Sequence, residues 1–198
     1  ELGEMIKRAG LDFPALPDEK FDPIFGIASG AADIFGVTGG VMEAALRTVS
    51  SILMGDENAP LEFHDVRGFE DVKEATYELP GKTVRVAVVS GTKNAGALLD
   101  AIRKGEKEYD FVEVMCCPGG CINGGGQPYV PANVKNFVDY RSLRAKALYD
   151  EDAGKTLRKS HHNPIVQEVY ANYLGAWGGE KAHHILHTKY YAQPKYRI

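Results

Sequence analysis

Apolar residues alternate with polar ones at spacings that predict a chain of helices and strands. Leu2, Met5 and Ile6 fall at i, i+3 and i+4, one face of a helix, and Gly10 reads as its stop. Residues 11–33 break the pattern with Pro14, Pro17, Pro23 and the small-residue run Ala28-Ser29-Gly30-Ala31-Ala32, and are expected to be loop. From Thr38 to Met54 the period returns to that of a helix, with Thr38 as cap and Val41, Ala44, Ala45, Val49, Ile52 and Leu53 as its apolar face. Residues 61–66 alternate as a half-buried strand does, and the β-branched run 83–90 reads as a strand covered on both faces. A helix over about 94–104 and a strand at 111–115 complete a βαβ unit, which implies a parallel pair and a right-handed crossover. The last third reads as helices over about 137–151 and 164–174, with Asn163 capping and Pro164 in the first turn, then a short helix around Lys181 to His187. Tyr170, Tyr173, Tyr190, Tyr191 and Tyr196 are expected to pack. The class that emerges is α/β: a small, mostly parallel sheet flanked by helices, with a helical C-terminal extension.

Composition narrows what such a fold could do. The chain has 198 residues, with 23 Lys+Arg against 27 Asp+Glu, a net charge of −4 that lacks the basic excess of a nucleic-acid binder. No apolar run approaches the roughly 20 residues needed to span a bilayer. No basic start followed by an apolar stretch marks a signal peptide, so a cytoplasmic location is expected. Glu1 opens on a helix already under way, as expected of a processed product, a split subunit or an excised piece. Three cysteines are too few for a disulfide framework, and their odd number leaves at least one thiol unpaired within the chain.

All three cysteines lie in Met115-Cys116-Cys117-Pro118-Gly119-Gly120-Cys121-Ile122-Asn123-Gly124-Gly125-Gly126-Gln127-Pro128, directly after a buried-strand pattern. Active sites of open α/β sheets lie at such carboxyl ends of strands. Five glycines in these fourteen positions let the backbone turn and approach a bulky group closely. Zinc sites pair cysteines at short gaps and need four ligands, and no second cysteine cluster supplies the rest. Iron–sulfur clusters also take soft thiolates in glycine-rich loops, and here too the remaining ligands would have to come from elsewhere. Inert buried cysteines are the plainest alternative, but clustering this tight exceeds what packing requires.

This segment resembles the third cysteine motif of the [FeFe]-hydrogenases, running from Glu113 through Pro128. Residues 34–47, from Ile34-Phe35-Gly36-Val37-Thr38-Gly39-Gly40 to Leu46-Arg47, resemble that family's block upstream of the strands, and Arg158-Lys159-Ser160-His161-His162-Asn163-Pro164 its carboxyl-terminal segment. The resemblance implies an H-cluster, a four-iron cubane joined through a cysteine sulfur to a di-iron unit with CO, cyanide and a dithiolate bridge. Carried over by position, Cys117 would ligate the cubane and Cys121 would bridge the two parts. Met115 would be a thioether contact of the di-iron unit, and Phe35 and Gly36 would line the same dry pocket. Cys116 stands where the family usually has another small residue, with no role assigned.

The implied activity is reversible reduction of protons, 2H⁺ + 2e⁻ ⇌ H₂, fed by a ferredoxin or by NAD-linked electron-transfer subunits. The family's first two cysteine motifs are absent from these residues, so a complementary segment or subunit would have to finish the site. On this reading residues 1–135 form the second lobe of a two-lobed domain, and residues 136–198 a helical wrap like a small subunit. The alternatives are a hydrogen-sensing relative and a non-catalytic iron–sulfur relative.

Other motifs carry less. His183 and His187 share a helix face that could hold a metal, but no Glu follows His183, which excludes a metalloprotease motif. Neither the phosphate-loop nor the dinucleotide glycine pattern is present, so any nicotinamide chemistry would need another subunit. Glu43 and Arg47, four apart, are expected to form an ion pair on a helix face rather than to act in catalysis.

Overall fold

The computed structural model describes residues 1–20, 22, 26–192 and 194; Pro23 and Tyr196 lie outside the described residues. A three-stranded sheet in the order β1-β2-β3 is built from β1 (Val72–Leu79), β2 (Lys82–Ser90) and β3 (Phe111–Met115). β2 and β3 pair in parallel, with Val86 opposite Phe111 and Ser90 opposite Met115, as the βαβ pattern requires. β1 pairs antiparallel with β2, so the sheet is mixed. Pro80-Gly81 closes that hairpin: proline presets the first central position and Gly81, at φ +77°, takes the second.

The middle strand is covered on both faces. Val84, Val86 and Val88 pack with Met42, Leu46, Phe63 and Val66 under α3 (Gly40–Met54). Ala87 and Val89 pack on Ala95 and Leu98 of α4 (Thr92–Arg103), the crossover helix. Burying each such valine contributes about 1.5–3 kcal/mol, so β2 anchors the layers.

Four expectations fail here. Gly30–Asp33 is a helical turn rather than loop. The buried side of α3 carries Met42, Ala44 and Leu46 with Glu43, Arg47 and Ser50, not the expected face as a whole, of which Ile52 is exposed. Residues 61–66 form no strand; His64–Val66 is a 3₁₀ turn that puts Phe63 and Val66, three apart, into the core. Nor does Thr38 cap α3: the capping position belongs to Gly39, at φ +91°, and the Thr38 hydroxyl pairs with that of Ser90 at 3.3 Å.

Short helices α1 (Leu2–Arg8) and α2 (Gly30–Asp33) precede α3 in the chain, and α5 (Ala132–Lys135), α6 (Tyr140–Gly154), α7 (Pro164–Val169) and α8 (Glu180–Leu186) follow the sheet. The α7 cap is as expected, with the Ile165 amide donating to Asn163 Oδ1 at 2.9 Å. α6 packs against α2, and Lys155 at its end bonds Asp33 at 2.6 Å. Tyr170 stacks on Trp177, but Tyr190 and Tyr191 are exposed, and so is Tyr173, whose ring meets the Lys181 ammonium at 3.9 Å rather than an apolar face. Among the described residues no helix is long and apolar enough to cross a membrane.

The Glu43–Arg47 pair forms, but in the interior. Both side chains are fully buried, and Arg47 uses all five of its N–H groups. It donates to Glu43, to both oxygens of Asp152 at 2.8 Å, and to the carbonyls of Leu61 and Arg158. Arg67 closes on both oxygens of Glu43, while Arg158 binds Asp152 and Glu62. Burial alone would raise the Asp152 carboxyl's pKa, but its bonds from Arg47 and Arg158 hold it below the ordinary range. Removing Arg47 leaves the Glu43 and Asp152 carboxylates buried, each with only one arginine partner. Arg47→Ala is therefore expected to cost about 3–5 kcal/mol in urea unfolding; a loss under about 1 kcal/mol would show that α3 and α6 are held by apolar packing alone.

Candidate functional site

The site is assembled where β3 ends, and Glu113 is the residue that positions it. Its carboxylate is buried and accepts 2.7 Å bonds from the amides of Gly39 and Met42. These are N–H groups left without partners at the start of α3, where a negative charge also meets the positive end of the helix dipole. β3 thereby fixes the 36–40 turn, and two residues beyond Glu113 the chain enters the cysteine loop.

The loop and the turn then meet backbone to backbone. Thr38 donates its amide to the Gly119 carbonyl at 3.1 Å. Gly120 lies so close that a Cβ there would stand 2.7 Å from both the Gly36 oxygen and the Thr38 nitrogen. At φ +91° it also occupies a conformation that favours glycine. Two α6 residues brace the loop from behind, with Arg144 donating to the carbonyls of Ile122 and Pro128 and Tyr140 to Asn123 Oδ1. Leu148, Val37 and Ile122 form an apolar cluster with Ala145 beneath it.

Lys73 supports the other side. Its buried ammonium donates to the carbonyls of Gly68 (2.8 Å) and Thr38 (3.2 Å). Burial pushes its pKa down to about 8 from 10.5, although Glu113 and Glu70 pull it up.

The five expected site residues are placed as follows. Cys117 is half-buried with its Sγ toward Gly124; Cys121 and Cys116 are exposed, and all three thiols are free. Gly36 touches Gly120 through its carbonyl. Met115, half-buried, ends β3 opposite Ser90, whose hydroxyl reaches Thr38. Phe35 is 45 % exposed, so the described residues do not enclose it. Two free, accessible thiols on a rigid glycine turn fit a soft metal or an iron–sulfur cluster, and do not complete a four-ligand site. Glu113, Lys73, Arg144 and Tyr140 were not assigned roles from sequence. The signal for Glu113 was a carboxylate in a strand of otherwise apolar residues.

Residues 1–125 match the family model described as iron only hydrogenase large subunit, C-terminal domain, and residues 138–193 the one described as iron hydrogenase small subunit. The chain belongs to the iron hydrogenase family. Among iron hydrogenases it is 45 % identical to the NADP-reducing hydrogenase subunit HndD of Solidesulfovibrio fructosivorans, covering 98 % of this chain and 32 % of that protein. With iron hydrogenase 1 of Clostridium pasteurianum it shares 44 % identity, over 96 % of this chain and 33 % of that one. The chain thus spans about a third of the length of these relatives. The solved [FeFe]-hydrogenase HydA1 of Chlamydomonas reinhardtii superposes with a TM-score of 0.69 at 38 % identity, covering 96 % of this chain and 53 % of that one. A solved structure described as revealing stepwise [FeFe]-hydrogenase H-cluster assembly superposes with the same TM-score and identity. Protein NAR1 of Arabidopsis thaliana is 32 % identical over 96 % of this chain and 40 % of its own length.

Two measurements test the scaffold of the cysteine loop. Gly120→Ala is expected to destabilise the chain by about 2 kcal/mol or more in urea unfolding, because added strain and a backbone clash coincide; wild-type stability would show that the turn and the loop are not in contact. Between pH 8 and 10 folded Lys73 releases a proton that the unfolded chain keeps, so stability should rise with pH. Tyr77, with a pKa pushed by burial up to about 12, opposes this only above pH 10. Lys73→Met should flatten the rise, and an equal rise in the variant would contradict the assignment.

Proposed function

We propose that this chain provides one side of an H-cluster pocket and, with a complementary segment or subunit carrying the remaining ligands, catalyses 2H⁺ + 2e⁻ ⇌ H₂. The observation that carries the reading is the pair of free, accessible thiols on the turn that Glu113 and Gly120 lock against residues 36–40. On this reading Cys117 holds the cubane and Cys121 bridges it to the di-iron unit. When bound, the cluster supplies the redox chemistry; the protein supplies ligands, orientation and exclusion of water. Met115, Phe35 and Gly36 provide the apolar lining. Gly124, where a Cβ would stand 3.8 Å from Cys117 Sγ, keeps the peptide backbone close to that sulfur, where amide dipoles bear on the cluster's potential.

Residues 1–135 then act as the second lobe and residues 136–198 as the wrap, a division supported by the two separate family matches. Exposed Phe35, Tyr129 and Phe137 support a complementary segment covering this side of the chain. Electrons would come from a ferredoxin or from NAD-linked subunits, in the cytoplasm.

The second reading, an iron–sulfur relative without hydrogenase turnover, is favoured by the 33 % identity, over 81 % of this chain, to a Rattus norvegicus protein named cytosolic iron-sulfur assembly component 3. Identity of 45 % and 44 % to proteins named as hydrogenases weighs for the first. In the complete protein, Cys121→Ala is expected to lose the di-iron unit and Cys117→Ala the cubane as well, each abolishing H₂ turnover and lowering bound iron. Cys116→Ala should leave both close to wild type. Turnover surviving in both Cys117→Ala and Cys121→Ala would refute the ligand assignment.

A further inference from the structure

A second group of metal-type ligands stands at the far end of α3, independent of the cysteine loop. Asp56 follows Gly55, which ends that helix at φ +80°, and His161 and His162 lie in the 3₁₀ turn Ser160–His162. One ligand atom from each of the three side chains lies within 4.8 Å of the other two.

The three side chains converge on one point. The Thr48 hydroxyl lies 3.3 Å from the Ala44 carbonyl and 3.0 Å from His161 Nδ1, so it can accept from Nδ1 and leave Nε2 with a free lone pair for a cation. That Nε2 faces Asp56 Oδ1 at 3.4 Å. His162 Nε2 stands 2.8 Å from the other oxygen, Oδ2. The Nδ1 bond to Thr48 is moreover the kind of outer contact that orients a metal-binding imidazole.

We propose that Asp56, His161 and His162 bind a divalent first-row transition-metal ion, with solvent completing its coordination. Two imidazoles and one carboxylate are a donor set suited to zinc or iron(II). The side chains of Asp56 and His162 are 51 % and 38 % exposed, and both border an open cavity of about 270 Å³ that gives an ion access. Lys159 donates to the Asp56 carbonyl and to Oδ1, both at 3.1 Å, and its charge tempers the affinity without occupying Oδ2. His162 contributes by moving its ring proton to Nδ1, which requires no net proton release. Bound there, the ion cross-links the end of α3 to a segment 105 residues away in sequence, and so stabilises the folded chain.

Zinc is the probe. The measurement uses chelator-stripped protein with Cys116→Ser, Cys117→Ser, Cys121→Ser and His183→Ala, which silences the thiols and the His183–His187 pair, whose rings stand 4.1 Å apart. Calorimetric titration should show one zinc per chain together with a higher unfolding temperature. Adding His162→Ala should weaken binding at least about tenfold. Asp56→Asn, which keeps the side-chain shape, should weaken it as well. No zinc uptake in the parent variant, or uptake unchanged by both substitutions, overturns the proposal.

Discussion

Everything at the site hangs on a carboxylate placed at the start of a helix. Glu113 belongs to β3, and the amides it binds belong to Gly39 and Met42, 74 and 71 residues earlier. A buried carboxylate is costly unless its oxygens are satisfied, and the unpaired N–H groups of α3 satisfy them. The same bonds fix the distance between the 36–40 turn and the strand that leads into the cysteines. Gly120 then uses its lack of a side chain to bring the two backbones into contact. Cys117 and Cys121 are presented outward from a rigid base, and the metal site of the proposed function needs such a base.

α3 is held along its whole length by charge as well as by apolar packing. Glu113 binds its first turn, Arg47 ties its middle to Asp152 on α6, and Asp56 just past its end meets Lys159, His161 and His162. The second and third of these join the sheet-containing part of the chain to its helical C-terminal part. Buried ion networks of this kind fix geometry more than they add stability, because desolvation offsets most of the attraction. A cluster pocket depends on that geometry.

Elements whose pattern is dominated by burial could be read from the sequence. β2 lies between two apolar layers and announced itself as a continuous β-branched run, and α4 showed its face by helical spacing. α3 was legible as a helix but its face was not: Met42 and Leu46 enter the core beside buried Glu43, Arg47 and Ser50, polar residues that only partners elsewhere in the fold make tolerable. β1 escaped because its inward side begins with Lys73 and its outward side carries Glu74, Thr76 and Glu78, so no apolar run marks it. Residues 61–66 misled because a 3₁₀ turn burying Phe63 and Val66 mimics alternation over so few residues. At the site, the cysteines and glycines were legible because their clustering has no packing explanation. The supports were not: Lys73, Arg144 and Tyr140 act through contacts that only the fold brings together. The buried setting of Glu43 and Arg47 likewise depends on Asp152, 105 residues from Arg47.

The account's central claim is that the turn carrying Cys117 and Cys121 is half of an H-cluster pocket rather than a plain iron–sulfur site. Infrared absorption of the complete, anaerobically purified protein tests this most directly, since CO and cyanide on iron absorb where no protein group does. The account predicts bands from both ligands, lost when Cys121 is replaced by Ala. Iron and sulfide present in the protein with no such bands would contradict it, and would favour an iron–sulfur relative without hydrogenase turnover.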